Sequence, residues 1–422
     1  MAERFQGVKG MNDLFPPEVA KWGFIERSAR ALFERFGYRE VRTPLVEPTA
    51  LFVRGVGAAT DIVEKQMYTF EDRDGRSLSL RPEGTAPAVR AYIEHSVAVQ
   101  EPVTRWYYLG PMFRYERMQR GRYRQFYQIG AEVLGVGEPT LDAEVIAMVV
   151  ALFSELGVPG VAVRLNSVGG PDDRPRYRDA LVAYFRQHLS ALCEDCKRRL
   201  ELNPLRIFDC KNESCMRVAA GAPKVTDHLG EASRAHYDGV KAALGALAVG
   251  FAEEPGLVRG LDYYTGTVFE VVSSSGELGA QNALCGGGRY DNLVLELGGP
   301  AGTPAFGFAI GVERLALAIP RPAESFDPGL DLFIVAHGAA AQRWALAAAH
   351  RLRLAGRRVE LSHKPSSFKA QMKRADKLRA RLALLVGEDE LRQKSVKLRD
   401  MASGEERLVA EPDLVAELAR LL

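Results

Sequence analysis

Residues 105–116, Arg105-Trp106-Tyr107-Tyr108-Leu109-Gly110-Pro111-Met112-Phe113-Arg114-Tyr115-Glu116, decide how this chain folds when read together with residues 125–134, Gln125-Phe126-Tyr127-Gln128-Ile129-Gly130-Ala131-Glu132-Val133-Leu134. A strand turns successive side chains to opposite faces. In the first stretch Trp106, Tyr108, Met112 and Arg114 share a face, opposite Tyr107, Leu109, Pro111 and Phe113. In the second, Gln128, Gly130 and Glu132 lie opposite Ile129, Ala131 and Val133. Two antiparallel strands are predicted, joined by the basic loop Arg117 to Arg124, with one face for a core and the other a polar floor. Gly130 leaves a slot in that floor where a flat ligand could lie against the backbone. For any single strand pair, the commoner arrangement is a plain solvent face with Arg114 paired to a carboxylate.

Around this pair the pattern is mixed. Upstream, Phe24, Ile25, Ala29, Leu32, Phe33 and Phe36 recur at helical spacing between Val19 and Phe36, and Gly37 ends the run. Asp72-Arg73-Asp74-Gly75 is a turn before the alternating strand Ser77 to Arg81. Downstream, from about Gly169-Gly170-Pro171 to Gly250, helices with cysteine pairs interrupt the strands. Strands are expected again over Leu257 to Val272 and Ala305 to Ile310, with a helix from Val312. Beyond the linker Pro320-Arg321-Pro322, strands at Leu330 to Val335 and Arg358 to Leu361 alternate with helices at Gln342 to Leu354 and Phe368 to Leu378, the mark of a small α/β domain.

A chain of 422 residues is too long for one ordinary core, and 47% hydrophobic with 26% charged residues excludes a disordered chain. The apolar stretch Ala143 to Leu156 is broken by Glu144, Ser154 and Glu155, too short for a membrane span. The N-terminus lacks the basic-then-apolar order of a signal peptide, so a cytoplasmic location with no membrane partner is expected. Five cysteines are too few for a disulfide scaffold. The net charge of +2 is uneven: Asp331 to Leu422 carries 18 Lys and Arg against 12 Asp and Glu, the remainder 38 against 42. The C-terminal quarter is therefore the better polyanion binder, though a merely solvated basic face has the same composition.

Three segments in order carry a resemblance. Val19 to Pro44 is similar to motif 1 of class II aminoacyl-tRNA synthetases. Leu80-Arg81-Pro82-Glu83-Gly84-Thr85 with the strand pair through Phe113-Arg114-Tyr115-Glu116 resembles motif 2, and Gly307-Phe308-Ala309-Ile310-Gly311-Val312-Glu313-Arg314-Leu315 resembles motif 3. Val258-Arg259-Gly260-Leu261-Asp262-Tyr263-Tyr264, Gly287-Gly288-Arg289-Tyr290-Asp291 and Gly10-Met11-Asn12-Asp13 resemble peptides peculiar to histidyl-tRNA synthetases of the bacterial type.

That resemblance implies an α+β fold: a class II antiparallel-sheet catalytic domain over residues 1–325, interrupted by a helical insertion over 170–250, then an α/β anticodon-binding domain over 326–422. It implies a homodimeric ligase that activates L-histidine with ATP and Mg2+ and transfers it to tRNA(His). Arg114 and Arg314 are placed by resemblance on the α- and γ-phosphate ends of ATP, Arg122 near the β- and γ-phosphates, and Glu116 on the magnesium. Arg259 joins Arg114 as a catalytic group, bridging the α-phosphate and the histidine carboxylate. Guanidinium groups suit such anions because they stay charged and present forked donors. Glu132 and Tyr264 would engage the imidazole nitrogens, Glu83, Thr85 and Gln128 the α-ammonium, and Tyr263 completes the histidine-binding set. Arg117, Arg120, Arg122 and Arg124 are candidates for the acceptor stem, with Gln119 as a base reader.

No metal ligand is assigned. Cys193-x2-Cys196 and Cys210-x4-Cys215 have a zinc-ribbon-like layout, yet the first pair is expected at the end of an amphipathic helix, where cysteine is also a core residue. Zinc and packing both stay open. Rival readings are a non-catalytic paralogue that binds a phosphoribosyltransferase, and a class II enzyme for threonine or proline. Arg259, the C-terminal domain and the peptide around Tyr264 argue against them.

Overall fold

The computed structural model describes residues 4–58, 60–258, 261–279 and 282–421, and within these an α+β fold of two compact units, residues 1–323 and 324–422. The first unit holds eleven strands among the described residues: β1 Arg39–Glu40, β2 Val46–Pro48, β3 Tyr68–Glu71, β4 Ser77–Leu80, β5 Thr104–Phe113, β6 Gln125–Leu134, β7 Val161–Ser167, β8 Phe251–Glu253, β9 Thr267–Ser273, β10 Ala283–Arg289 and β11 Ala305–Gly311. Eight form one sheet in the order β1-β5-β6-β11-β10-β9-β7-β8; β2, β4 and β3 make a separate small one. In the large sheet only the edge pairs β1–β5 and β7–β8 run parallel.

The back of this sheet is the core. Ile129, Ala131 and Val133 on β6 and Phe306, Phe308 and Ile310 on β11 are buried there. The helix Glu18–Arg35 covers them, with Ile25, Ala29, Leu32 and Phe33 buried at helical spacing and Phe33 5.1 Å from Tyr107 and 6.1 Å from Phe308 between ring centroids. Glu18 and Arg35 sit at the helix ends that favour their charges, and Gly37 follows in a left-handed conformation at φ +76°. The apolar helix Pro139–Glu155 packs beside it. Asp142 of that helix is fully buried, paired with the buried Arg289 of β10. Such a pair has to be kept whole, because either partner alone would be an uncompensated buried charge.

The antiparallel pair is found as predicted for β6; β5 starts at Thr104 and stops at Phe113, short of Glu116. The expected strand over Leu257 to Val272 is corrected: the regular ladder begins only at Thr267, and the described residues before it form turns. Gly266, at φ +63°, reverses the chain there, and its carbonyl accepts the Val168 N–H at 2.7 Å. Between β7 and β8 the described chain is helical, with helices Arg174–Gln187, Glu194–Leu202, Glu213–Ala220 and Glu231–Ala246. Cys193 is the N-cap of Glu194–Leu202 and Cys196 lies in its first turn, so the first cysteine pair sits at the N-terminal end of a helix.

The second unit has strands β12 Leu332–Ala336, β13 Val359–Leu361, β14 Leu382–Val386, β15 Ser395–Asp400 and β16 Glu406–Ala410, in the order β13-β12-β14-β15-β16. The first three are parallel, the last pairings antiparallel. β12 and β14 are buried along their whole lengths, as continuous apolar strands in a doubly covered sheet should be. Helices Ala339–Leu354 and Phe368–Lys377 fall close to their predicted spans.

Candidate active site

Register places the polar floor of β6 at the middle of the large sheet. Gly130 faces Tyr108 on β5 and Ala309 on β11; Ala309 pairs with Gly286, Gly286 with Glu270, and Glu270 with Arg164. Small residues at the centre of this row leave room above the sheet. A cavity of about 600 Å³ occupies it, lined by Arg164, Glu270, Gly286 and Ala309, by Gln128, and by Arg114, Glu116, Arg122, Glu313 and Arg314. Lys211, from the helical region, also lines it. The size suits a small-molecule ligand.

The cavity wall carries five cationic side chains against three carboxylates. Arg114 donates through Nε to the Pro82 carbonyl at 2.8 Å and lies 5.1 Å from the Phe126 ring centroid. Glu116 is only loosely paired, 3.7 Å from Arg114 and 3.5 Å from Arg122. Burial holds the Arg114 guanidinium below its ordinary pKa; for Arg314 burial comes first and the nearby Arg122 charge adds to it. Crowded cations of this kind favour an anionic ligand. Glu313 turns its carboxylate to the Tyr127 N–H at 2.9 Å, and burial pushes its pKa up to about 7. Among the loop arginines, Arg120 is ion-paired with Glu277, and Arg124 lies 3.8 Å over the Tyr115 ring. The Arg124 and Gln125 N–H groups bond to the Gly10 carbonyl, which ties the N-terminal peptide to this loop.

Four residues beyond Gln128 on the same face of β6, the environment changes. Glu132 is fully buried, and its carboxylate accepts Thr85 Oγ1 at 2.8 Å, the Tyr108 hydroxyl at 3.0 Å and the Tyr290 hydroxyl at 2.5 Å. Burial pushes its pKa up to about 8, against the pull of these donors, and raises both tyrosines well above their ordinary range. Gly307, across the ladder, leaves the space: a Cβ there would come within 1.7 Å of the Glu132 carboxylate. The slot expected at Gly130 is filled by the chain itself, since a Cβ on Gly130 would meet the Tyr108 ring at 2.4 Å. Tyr108, and Tyr290 from the quoted peptide Gly287 to Asp291, are thus site residues to which the sequence reading gave no role; Tyr290 reaches Glu132 across 158 positions of chain.

Glu83 is buried at the start of the helix Thr85–Glu94, accepting the Thr85 and Ala86 N–H groups at 2.8 and 2.9 Å. Burial raises its pKa despite both bonds. Tyr263 and Tyr264 are buried, 4.7 Å apart between centroids, with Tyr263 set edge-on to Tyr290 at 5.6 Å. Their loop is gripped from the helical region: Arg174 donates to the Tyr264 carbonyl, and Asn203 and Arg206 each reach Asp262 at 3.3 Å. Arg259 lies outside the described residues. The Oε1 atom of Gln128 is buried with no hydrogen-bond partner among the described residues, at the seam between the basic cavity and the Glu132 cluster. An orphaned acceptor costs stability unless a ligand satisfies it.

A family model described as Histidyl-tRNA synthetase matches residues 10–315. The chain belongs to the histidyl-tRNA synthetase family. A second model, Anticodon binding domain, matches residues 331–421 of this family member. Curated relatives named Histidine--tRNA ligase include that of Syntrophotalea carbinolica, 48% identical over 96% of each chain, and that of Anaeromyxobacter dehalogenans, 50% identical over 99% of this chain and all of the relative. Among solved structures, apo S. aureus histidyl-tRNA synthetase superposes with a TM-score of 0.83 at 38% identity, covering 98% of this chain and 100% of that one. No helix among the described residues is long and apolar enough to cross a membrane.

Proposed function

We propose that the chain charges tRNA(His) in two steps at the sheet's polar face, with ATP in the basic cavity and the histidine ring against Glu132. The observation that carries this reading is the continuity of one β6 face, from Gln128 in the cation-lined cavity to Glu132 under its three hydroxyls. In activation, a histidine carboxylate oxygen attacks the α-phosphorus of ATP, the bond to the bridging oxygen breaks, and pyrophosphate departs. Arg114, Arg122 and Arg314 stabilise the charge that develops on the phosphates. Arg259 bridges the attacking carboxylate and the α-phosphate. Glu116, held beside two arginines, has the hard oxygen donors that a magnesium ion takes up alongside phosphate oxygens and water. That ion would neutralise charge on the β- and γ-phosphates.

A carboxylate offers about four lone-pair positions, and the three hydroxyls at Glu132 leave roughly one for an imidazole N–H. Tyr264 meets the other ring nitrogen, with Tyr263 behind it. Glu83, Thr85 and Gln128 receive the α-ammonium, which would also satisfy the orphaned Gln128 oxygen. In transfer, the terminal ribose hydroxyl attacks the adenylate carbonyl and AMP leaves; a phosphate oxygen of the adenylate takes the proton, so none of the seven histidines is assigned as base.

The helical stretch 170–250 is read as an insertion in a catalytic domain ending near 325, and 326–422 as the part that reads the anticodon, its excess of basic residues suiting a polyanion. Homodimerisation through the motif 1 region is supported by exposed apolar side chains at its two ends, Val19 at its start and Leu45 and Val46 immediately after it. A cytoplasmic location fits this activity. Pyrophosphate exchange with each amino acid in turn tests the reading. Histidine alone should support exchange, and removal of residues 326–422 should spare it while aminoacylation falls. Exchange with another amino acid, or with none, refutes it.

A further inference from the structure

Four cysteines of the helical region converge. The Sγ atoms of Cys193, Cys196, Cys210 and Cys215 all lie within 4.8 Å of one another, and those of Cys193 and Cys210 are 3.9 Å apart. Each is a free thiol, and three of the four are buried. A tetrahedral zinc with bonds of about 2.3 Å to sulfur requires sulfurs about 3.8 Å apart. Disulfides would need about 2.05 Å between paired sulfurs. We propose that these four residues form a structural zinc site.

The backbone around the sulfurs has the form such a site uses. Cys193 is the N-cap of the helix Glu194–Leu202, and Cys196 lies in its first turn. Cys210 follows the 3-10 turn Pro204–Asp209, and Cys215 lies early in the helix Glu213–Ala220. The Cys193 N–H points to Cys215 Sγ at 3.2 Å and the Asn212 N–H to Cys210 Sγ at 3.4 Å. Backbone donors of this kind stabilise thiolates and orient metal ligands. As apolar packing, four thiols would have no reason to aim at one point. Soft thiolate ligands in a closed tetrahedron select zinc or an iron–sulfur centre, and zinc needs no redox partner.

The zinc would hold a lever on the active site. Asn203 and Arg206, on the segment between the two cysteine pairs, bind Asp262 in the tyrosine loop, and Lys211, next to Cys210, reaches the basic cavity. The metal is therefore structural, and its removal should loosen this segment and the Asp262 contact with it.

Metal analysis of the untagged full chain should find about one zinc per chain, falling well below half in Cys196→Ser and Cys215→Ser, while Cys285→Ser keeps its zinc. Because a serine variant can misfold, two measurements on wild type stand beside it. Cobalt exchanged into the wild-type chain should give the intense visible bands of tetrahedral thiolate coordination. Mercurial titration should release zinc in step with four thiols, with tryptic cleavage between residues 193 and 215 rising at least tenfold. Less than about 0.1 zinc per chain in folded protein, no cobalt spectrum on exchange, or bound iron instead of zinc would each overturn the proposal.

Discussion

The cavity around Arg114 and Arg314 and the cluster around Glu132 stand on the same sheet face, at Gln128 and Glu132 of β6, yet they are built in opposite ways. At Glu132 the chain supplies its own donors: three hydroxyls occupy the carboxylate before any ligand arrives. In the cavity, five cations face three carboxylates and remain crowded. The first region is preorganised and nearly closed, so it can discriminate among ligands by what it leaves unpaired. The second holds a positive potential that suits a polyanion and, on the proposed function, the charge that grows as pyrophosphate leaves. On the function proposed above, selectivity and rate fall in neighbouring but separate environments.

Removing cations should produce the largest effect. Arg114→Ala, Arg314→Ala and Arg259→Ala are each expected to lower histidine-dependent pyrophosphate exchange by about 10² to 10³, on the order of 3 to 4 kcal/mol in the barrier. Arg259→Lys should recover only part, since a point charge cannot fork between two anions. Quench-flow measurement of adenylate formation beside a melting curve separates this from misfolding; near-normal exchange in a destabilised protein would remove the arginine from catalysis. Next comes Glu132→Ala. It strands the Thr85, Tyr108 and Tyr290 hydroxyls as well as the ligand ring, so histidine affinity and folding stability should both fall, each by roughly 1 to 3 kcal/mol, the second read as a lower melting temperature. An unchanged melting temperature would mean that the hydroxyl cluster contributes nothing to the fold. Tyr264→Phe removes the hydroxyl assigned to the ligand ring and leaves Glu132 in place, so a loss in histidine affinity of about 1 kcal/mol is expected.

The smallest effect is in pH. Burial raises Glu132 to about 8, above its unfolded value of about 4.3. A carboxyl raised in this way contributes its full stability below the unfolded pKa and loses it as pH climbs through the folded one. Without ligand, wild type should therefore melt progressively earlier than Glu132→Gln, which does not titrate there, as pH rises from about 4.5 to about 8. Parallel melting profiles would show that Glu132 is already ionised at the lower pH.

What sequence reveals and what it hides follow the same division. Alternation places Gln128, Gly130 and Glu132 on one face because the strand period is a local property. Of the cavity cations, Arg114, Arg122 and Arg314 are legible only through the resemblance to the synthetase motifs, because an arginine at a strand end is more often ion-paired on a solvent face, and Arg164 and Lys211, which reach the cavity from distant segments, carry no local signal. The hydroxyl cluster is not legible, because Thr85, Tyr108 and Tyr290 reach Glu132 from three distant segments, and nothing local distinguishes a tyrosine that fills a glycine slot from one that packs in a core. The segment before Thr267 reads as strand from its leucines, valine and tyrosines, yet Leu257, Tyr263 and Tyr264 are buried and Val258 and Leu261 half-buried in a turn-rich loop held by Arg174, Asn203 and Arg206. Tertiary contacts overrode local preference there. The cysteine spacing suggests a metal, but only the folded chain brings the four sulfurs together.

Calorimetric titration of histidine and of a non-hydrolysable ATP analogue into Arg314→Ala and Tyr264→Phe tests the separation of the two environments most directly. Arg314→Ala should weaken the nucleotide and spare histidine, while Tyr264→Phe should weaken histidine and spare the nucleotide. Equal losses of both ligands in either variant would contradict the assignment of the basic cavity to ATP and of the Glu132 cluster to the histidine ring.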